Sequence, residues 1–106
     1  MLTPHDDLNL DRMIHEPGRL AILTVLSSVT SADFRFLQQV TGLTKGNLSS
    51  HLSKLEAAGL LKIDKRFVHK KSHTDAALTK LGKQRIDAHW KQLDKLKDLA
   101  KSAPHE

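Results

Sequence analysis

The strongest constraint in this 106-residue chain is a change of hydrophobic period within TGLTKGNLSSHLSKLEAAGLLKI, residues 41–63. Leu48, Leu52 and Leu55 recur at steps of four and three. At about 100° per residue they fall within about 60° of one another on a helix. Thr44 is placed to cap that helix, which runs from Lys45 to about Ala58, and Gly59 to end it. From Leu60 the period becomes two. Leu61 and Ile63, with Phe67 in the same phase, alternate with Lys62, Asp64 and Arg66, the pattern of a half-buried strand.

Upstream, Pro17 suits the first position of a helix carrying Leu20, Ile22, Leu23, Val25, Leu26 and Val29. That helix is apolar around most of its circumference and is expected at the centre of the core. A shorter helical piece, Leu8 to Ile14, is expected before it, with Leu8, Leu10, Met13 and Ile14 packed. SSVTS, residues 27–31, ends the central helix. Asp33 then caps a short helix with Phe34, Leu37 and Val40 as its buried stripe, closed by Gly42. Leu43 follows as a small apolar plug. Two short helices joined by a tight Gly-containing turn form a helix-turn-helix pattern.

Downstream, His69 to His73 reads as a polar, basic connection, and Thr74 to Leu78 as a returning strand. Thr79 caps a last helix whose Ile86, Trp90, Leu93, Leu96 and Ala100 keep three- and four-residue spacing. The expected fold class is mainly α with a small β hairpin (α+β). It divides into a partly helical N-terminal segment (1–16), a core (17–78), and a C-terminal helix with a short tail (79–106).

The length suits one small domain with one core, leaving little chain to enclose a deep cleft as well. There is no Gly-rich phosphate loop, since Lys45 precedes Gly46, and no Ser-His-Asp motif in a recognisable context. We therefore expect no enzyme activity and no cofactor. The absence of cysteine excludes disulfides, thiolate metal ligation and thiol redox sensing. Asp87 and His89 lie one residue apart, but only His105 follows them, so no metal site is expected. MLTPHDDLNL lacks the pattern of a signal peptide, and Leu20 to Leu26, interrupted by Thr24, is too short to span a bilayer. A soluble, cytoplasmic protein without membrane partners is the expectation.

The formal net charge is +5, and its distribution matters more than its total. Residues 1–16 carry four acids against one arginine. Residues 62–79 carry Lys62, Lys65, Arg66, Lys70 and Lys71 against Asp64 and Asp75, and residues 80–106 carry seven bases against four acids. The positive half begins just after the helix of residues 45–58. Opposite that helix's leucines lie Gly46, Ser50, Ser53 and Ala57, flanked by Asn47, Ser49 and Lys54, with Glu56 to one side. Ser and Asn are poorer helix formers than the Glu and Lys of an ordinary solvated face. Short hydroxyl and amide groups can approach base edges and phosphates closely, and Lys45, Gly46 and Asn47 present a helix N-terminus to an anion. His51, at the edge of the leucine stripe, reads as a structural residue bridging helices.

DFRFLQQVTGLTKGNLSSHLSKLEAAGLLKI, followed by the basic hairpin, resembles the winged helix-turn-helix of MarR- and ArsR-type transcriptional regulators, in a short single-domain form. The likeness runs from about Leu10 to Lys97. It implies sequence-specific binding of double-stranded DNA, with the residue 45–58 helix in the major groove and the hairpin, or wing, on the neighbouring backbone or minor groove. The implied contacts are Lys45, Asn47, Ser49, Ser50, Ser53 and Lys54 on the helix, and Lys65, Arg66, Lys70 and Lys71 on the wing. Similar wings often have Gly near the position of His69 and an aromatic residue in the returning strand, which here reads Thr-Asp-Ala-Ala-Leu.

Trp90 and the stripe around it exceed what a small wing can cover. The resemblance implies that the terminal helices pair two subunits, with Trp90, Leu93, Leu96 and Leu99 at the contact. A homodimer would then read a palindrome-like operator, with repression as the expected outcome. No residue marks an effector. The rival reading is a winged-helix protein-interaction module that does not bind DNA. RNA binding is disfavoured because the chain has no Tyr, one Trp and three Phe, the last expected in the core.

Overall fold

Pro17 occupies the first position of α1 (Pro17–Ser27), where its missing N–H leaves no helical bond unmade. The cap is Glu16, whose carboxylate accepts the N–H groups of Gly18 and Arg19 at 3.0 and 2.9 Å. The computed structural model describes residues 10–102. Of the short helix expected at Leu8 to Ile14, residues 8 and 9 lie outside the described residues. The remainder forms a turn, in which the Ile14 and His15 N–H groups donate to the Asp11 carbonyl.

Ile22, Leu23 and Leu26 of α1 are fully buried, as its all-round apolar character suggested. Val29 was expected on the same helix, but it falls beyond the helix end and is exposed. A two-residue strand, β1 (Ala32–Asp33), follows; so short an element carries no period to read. Asp33 caps α2 (Phe34–Thr41) by accepting the Phe36 N–H at 2.7 Å. The expected stripe of α2 holds at Leu37 and in part at Phe34, which packs against the core. Phe34 is half-buried and Val40 is 52% exposed. Steps of three advance about 300°, so Val40 stands about 120° round the helix from Phe34 and leaves the core face.

α3 (Lys45–Ala57) starts at Thr44, whose hydroxyl accepts the Asn47 N–H at 3.2 Å. Its end is closed twice: the Leu60 N–H reaches the Leu55 carbonyl and the Gly59 N–H reaches that of Glu56. This pattern needs a left-handed residue, and Gly59 supplies it at φ 79°.

The chain enters β2 (Leu61–Val68), which pairs antiparallel with β3 (Lys71–Leu78) from Leu61 opposite Leu78 to Val68 opposite Lys71. β3 also pairs with β1, giving the sheet order β1-β3-β2. The returning strand thus begins three residues before the expected Thr74. Only His69 and Lys70 make the turn, both left-handed at φ 50° and 65°, as a two-residue hairpin turn that follows the strand twist requires. Thr79 then caps α4 (Lys80–Lys101) through the Gly82 N–H at 3.0 Å.

The core is contributed by every layer: Ile14, α1, Leu37, the leucines of α3, Leu60, Leu61, Ala76 and Ile86. Four helices and a small sheet give the expected mainly-α class with its hairpin, enlarged by one short strand. Among the described residues no helix is long and apolar enough to cross a membrane.

Candidate nucleic-acid interface

Leu48, Leu52 and Leu55 anchor α3 in the core and thereby fix which side faces out. Lys45, Gly46, Asn47, Ser49, Ser50, Ser53 and Lys54 are all exposed. The first turn contains no acid, and Thr44 satisfies one backbone N–H, so the N-terminal dipole and Lys45 present positive potential together. His51 is half-buried, with Nε2 3.6 Å from a carboxylate oxygen of Glu16. This contact ties α3 to the start of α1, the bridging role expected of His51.

The strand register sorts the wing residues between two faces. Directly opposed residues share a face, so Leu61, Ile63, Lys65 and Phe67 lie with Leu78, Ala76, Thr74 and Ser72. Ile63 and Lys65 join Phe34, Ser49, Ser53 and Thr74 around a cleft of about 130 Å³ between α3 and the wing. Lys65 is therefore brought together with the serines of α3. Glu56 and Leu52 also line this cleft, and Glu56 marks where the acid-free surface ends.

The other face carries Lys62, Asp64, Arg66 and Val68. Asp64 stands opposite Asp75, and Asp75 opposite Asp33, so three aspartates lie abreast across the sheet. Arg66 is on this acidic side, paired with Asp75 at 3.0 Å. The structure separates it from Lys65, although the two are adjacent in sequence. Lys70 occupies the turn and Lys71 the first position of β3; both are exposed.

Two phenylalanines correct the expectation that all three lie in the core. Phe36 is exposed on α2, and Phe67 is 80% exposed near the end of β2. The hairpin outruns the core, so the period-two phase of Leu61 and Ile63 continues past the described residues that cover them.

On α4, Gly82, Ile86 and His89 are buried, and all belong to its first half. His89, not Trp90, follows Ile86 into the core. Trp90 is 37% exposed and Leu99 59%, while Leu93 and Leu96 are half-buried. An Asp11–Arg85 ion pair holds the N-terminal turn against α4 at 2.6 Å. A contact between residues so far apart in the chain has no periodic signature. Among the described residues, no three His, Asp or Glu are grouped to hold a metal ion.

Comparison with known proteins matches the fold. The family described as "winged helix DNA-binding domain" matches residues 19–97. The transcriptional regulator homologue protein of Pyrococcus horikoshii is 29% identical and superimposes with a TM-score of 0.80, covering 89% of this chain and 93% of its own. A MarR-family transcriptional regulator from Silicibacter pomeroyi shares the fold at a TM-score of 0.63 and 20% identity, over 93% of this chain and 62% of its own. An uncharacterized protein of Methanocaldococcus jannaschii is 32% identical over 65 residues, which are 61% of this chain and 71% of that one.

Proposed function

Because this chain belongs to the winged helix DNA-binding domain family, we propose that it is a DNA-binding transcriptional regulator that acts as a homodimer on a palindrome-like operator and represses from it. The family and fold are those of transcriptional regulators, shared with MarR-type proteins. The observation that carries the reading is the shared exposed surface of α3 and Lys65, acid-free up to Glu56, set apart from the aspartate row behind the sheet.

In this mechanism α3 enters the major groove. Asn47, Ser49, Ser50 and Ser53 meet base edges, while Lys45 and Lys54 meet phosphates. Lys65, Lys70 and Lys71 follow the backbone beside it, and Arg66 joins them only where phosphate competes with Asp75. Residues 17–78 form the DNA-binding core. The outer half of α4, with Trp90, Leu93, Leu96 and Leu99, pairs two copies so that their α3 helices stand about 34 Å apart on one side of the duplex.

Selection from a pool of random duplexes, followed by footprinting, tests this. The expected product is a two-fold symmetric site protected on one face. Ser50→Phe with Ser53→Phe should abolish preference for that site before it abolishes binding to bulk duplex. A pool that yields no enriched sequence would overturn the sequence-specific reading.

A further inference from the structure

Phe67 is the most exposed large apolar side chain among the described residues, at 80%. It lies one residue before the end of β2, opposite Ser72, on the same sheet face as Lys65 and the α3 cleft. None of the described residues covers it. Its surroundings are basic: Lys65 lies two residues before it, and Lys70 and Lys71 are at the turn beyond. The acids of the hairpin, Asp64 and Asp75, are on the opposite face. An uncovered phenyl ring among lysines fits a partner that offers phosphates and an apolar slot within a few ångströms of each other. Duplex DNA offers both, because a base step presents a flat apolar gap between two charged strands.

We propose that Phe67 is an apolar wedge that enters the minor groove beside the major-groove site of α3, partly unstacks one base step and kinks the duplex. The inference rests on the DNA-binding reading above. It adds a source of specificity that involves no base hydrogen bond. Pyrimidine–purine steps such as TA and CA/TG unstack most readily, so the operator should carry one at the position under each wing. The lysines around the ring hold the wing in register on the phosphates, and the ring reads deformability.

The test uses the full chain and a duplex enriched by the wild-type protein. Wild type, Phe67→Ala and Phe67→Leu are compared for bending, by energy transfer between the duplex ends, and for unstacking, by 2-aminopurine fluorescence at the wing position. Because the ring is exposed, all three should melt alike. Wild type should bend the duplex and brighten the probe. Phe67→Ala should lose both while keeping the salt slope, and its preference for a flexible step should fall from roughly tenfold to none. Phe67→Leu should retain part of each effect. Bending and step preference unchanged in Phe67→Ala would overturn the wedge. A wild-type protein that binds no duplex would overturn the regulator reading and the wedge with it, and it would show before any substitution is made.

Discussion

Nδ1 of His15 and Nε2 of His89 lie 3.2 Å apart, joining the turn before α1 to the buried face of α4. One ring must donate and the other accept, so the contact survives with a single proton between the two nitrogens. Among the described residues, Nδ1 of His89 is buried without a hydrogen-bond partner. Burial holds the His89 pKa below its usual value, the neighbouring His15 adds to this, and Asp11 acts in the opposite sense.

Stability should therefore depend on pH through His89. In the unfolded chain the imidazole takes up its proton as pH falls through about 6.5. The folded protein resists that proton until lower pH. Below about 6.5 the unfolded state therefore binds more protons, and stability rises with pH across that window and is lost as pH falls. Melting temperature should drop between pH 7.5 and 5.5, and His89→Gln should flatten the slope. A wild-type melting temperature constant over that range would contradict the assignment.

At Glu16 burial pushes the carboxyl upward. Hydrogen bonds from the Arg19 and Gly18 N–H groups, with the charges of His51 and Arg19, outweigh it and hold the pKa below the usual value. Its contribution is present above the ordinary carboxylate pKa and is lost in more acidic solution, apart from the histidine effect.

A Cβ at Gly82 would collide with the carbonyl oxygen of Leu60, a backbone atom that cannot rotate aside. Gly82→Ala should force α4 off the base of β2 and destabilise the fold by about 1–3 kcal/mol, measured by urea unfolding. A change within about 0.5 kcal/mol would mean that the approach of α4 is looser than described.

The wing turn places two side-chain-bearing residues, His69 and Lys70, in the left-handed region. His69→Asn with Lys70→Gly supplies the residues that such turns favour and should stabilise by about 1 kcal/mol. The same change removes a proposed phosphate contact. Tighter folding with weaker DNA binding is the expected pair of results, read by thermal melts and anisotropy. Equal or stronger DNA binding would remove Lys70 from the interface.

Leu96→Glu with Leu99→Glu should convert a dimer to a monomer in sedimentation, with helicity preserved, since Leu99 is exposed and Leu96 only half-buried. Wild-type protein that sediments as a monomer at tens of micromolar would exclude the α4 pairing.

Helix α3 is legible in the sequence because Leu48, Leu52 and Leu55 fix its inward face and Thr44 its start, leaving one orientation for Ser50 and Ser53. The wing was only partly legible. Period two locates Leu61 and Ile63, but the phase says nothing about where the core stops, so it does not reveal that Phe67 is exposed. Nor could the polar run from His69 to His73 reveal that strand pairing extends almost to the turn. Register alone decides that Lys65 faces α3 while Arg66 faces Asp75. The contacts of Asp11 with Arg85, and of His15 with His89, join distant segments through single polar pairs. No spacing rule anticipates them.

The most direct measurement is a salt titration of binding to the enriched duplex beside a scrambled duplex of equal length, for wild type and for Lys70→Ala with Lys71→Ala. Counterion release predicts a steep loss of affinity with salt for wild type, with a preference of at least about a hundredfold for the enriched site. The double variant should bind both duplexes more weakly, with the slope reduced by about one for each lysine removed. Absence of binding at low salt, or a slope unchanged by the double substitution, would contradict the account.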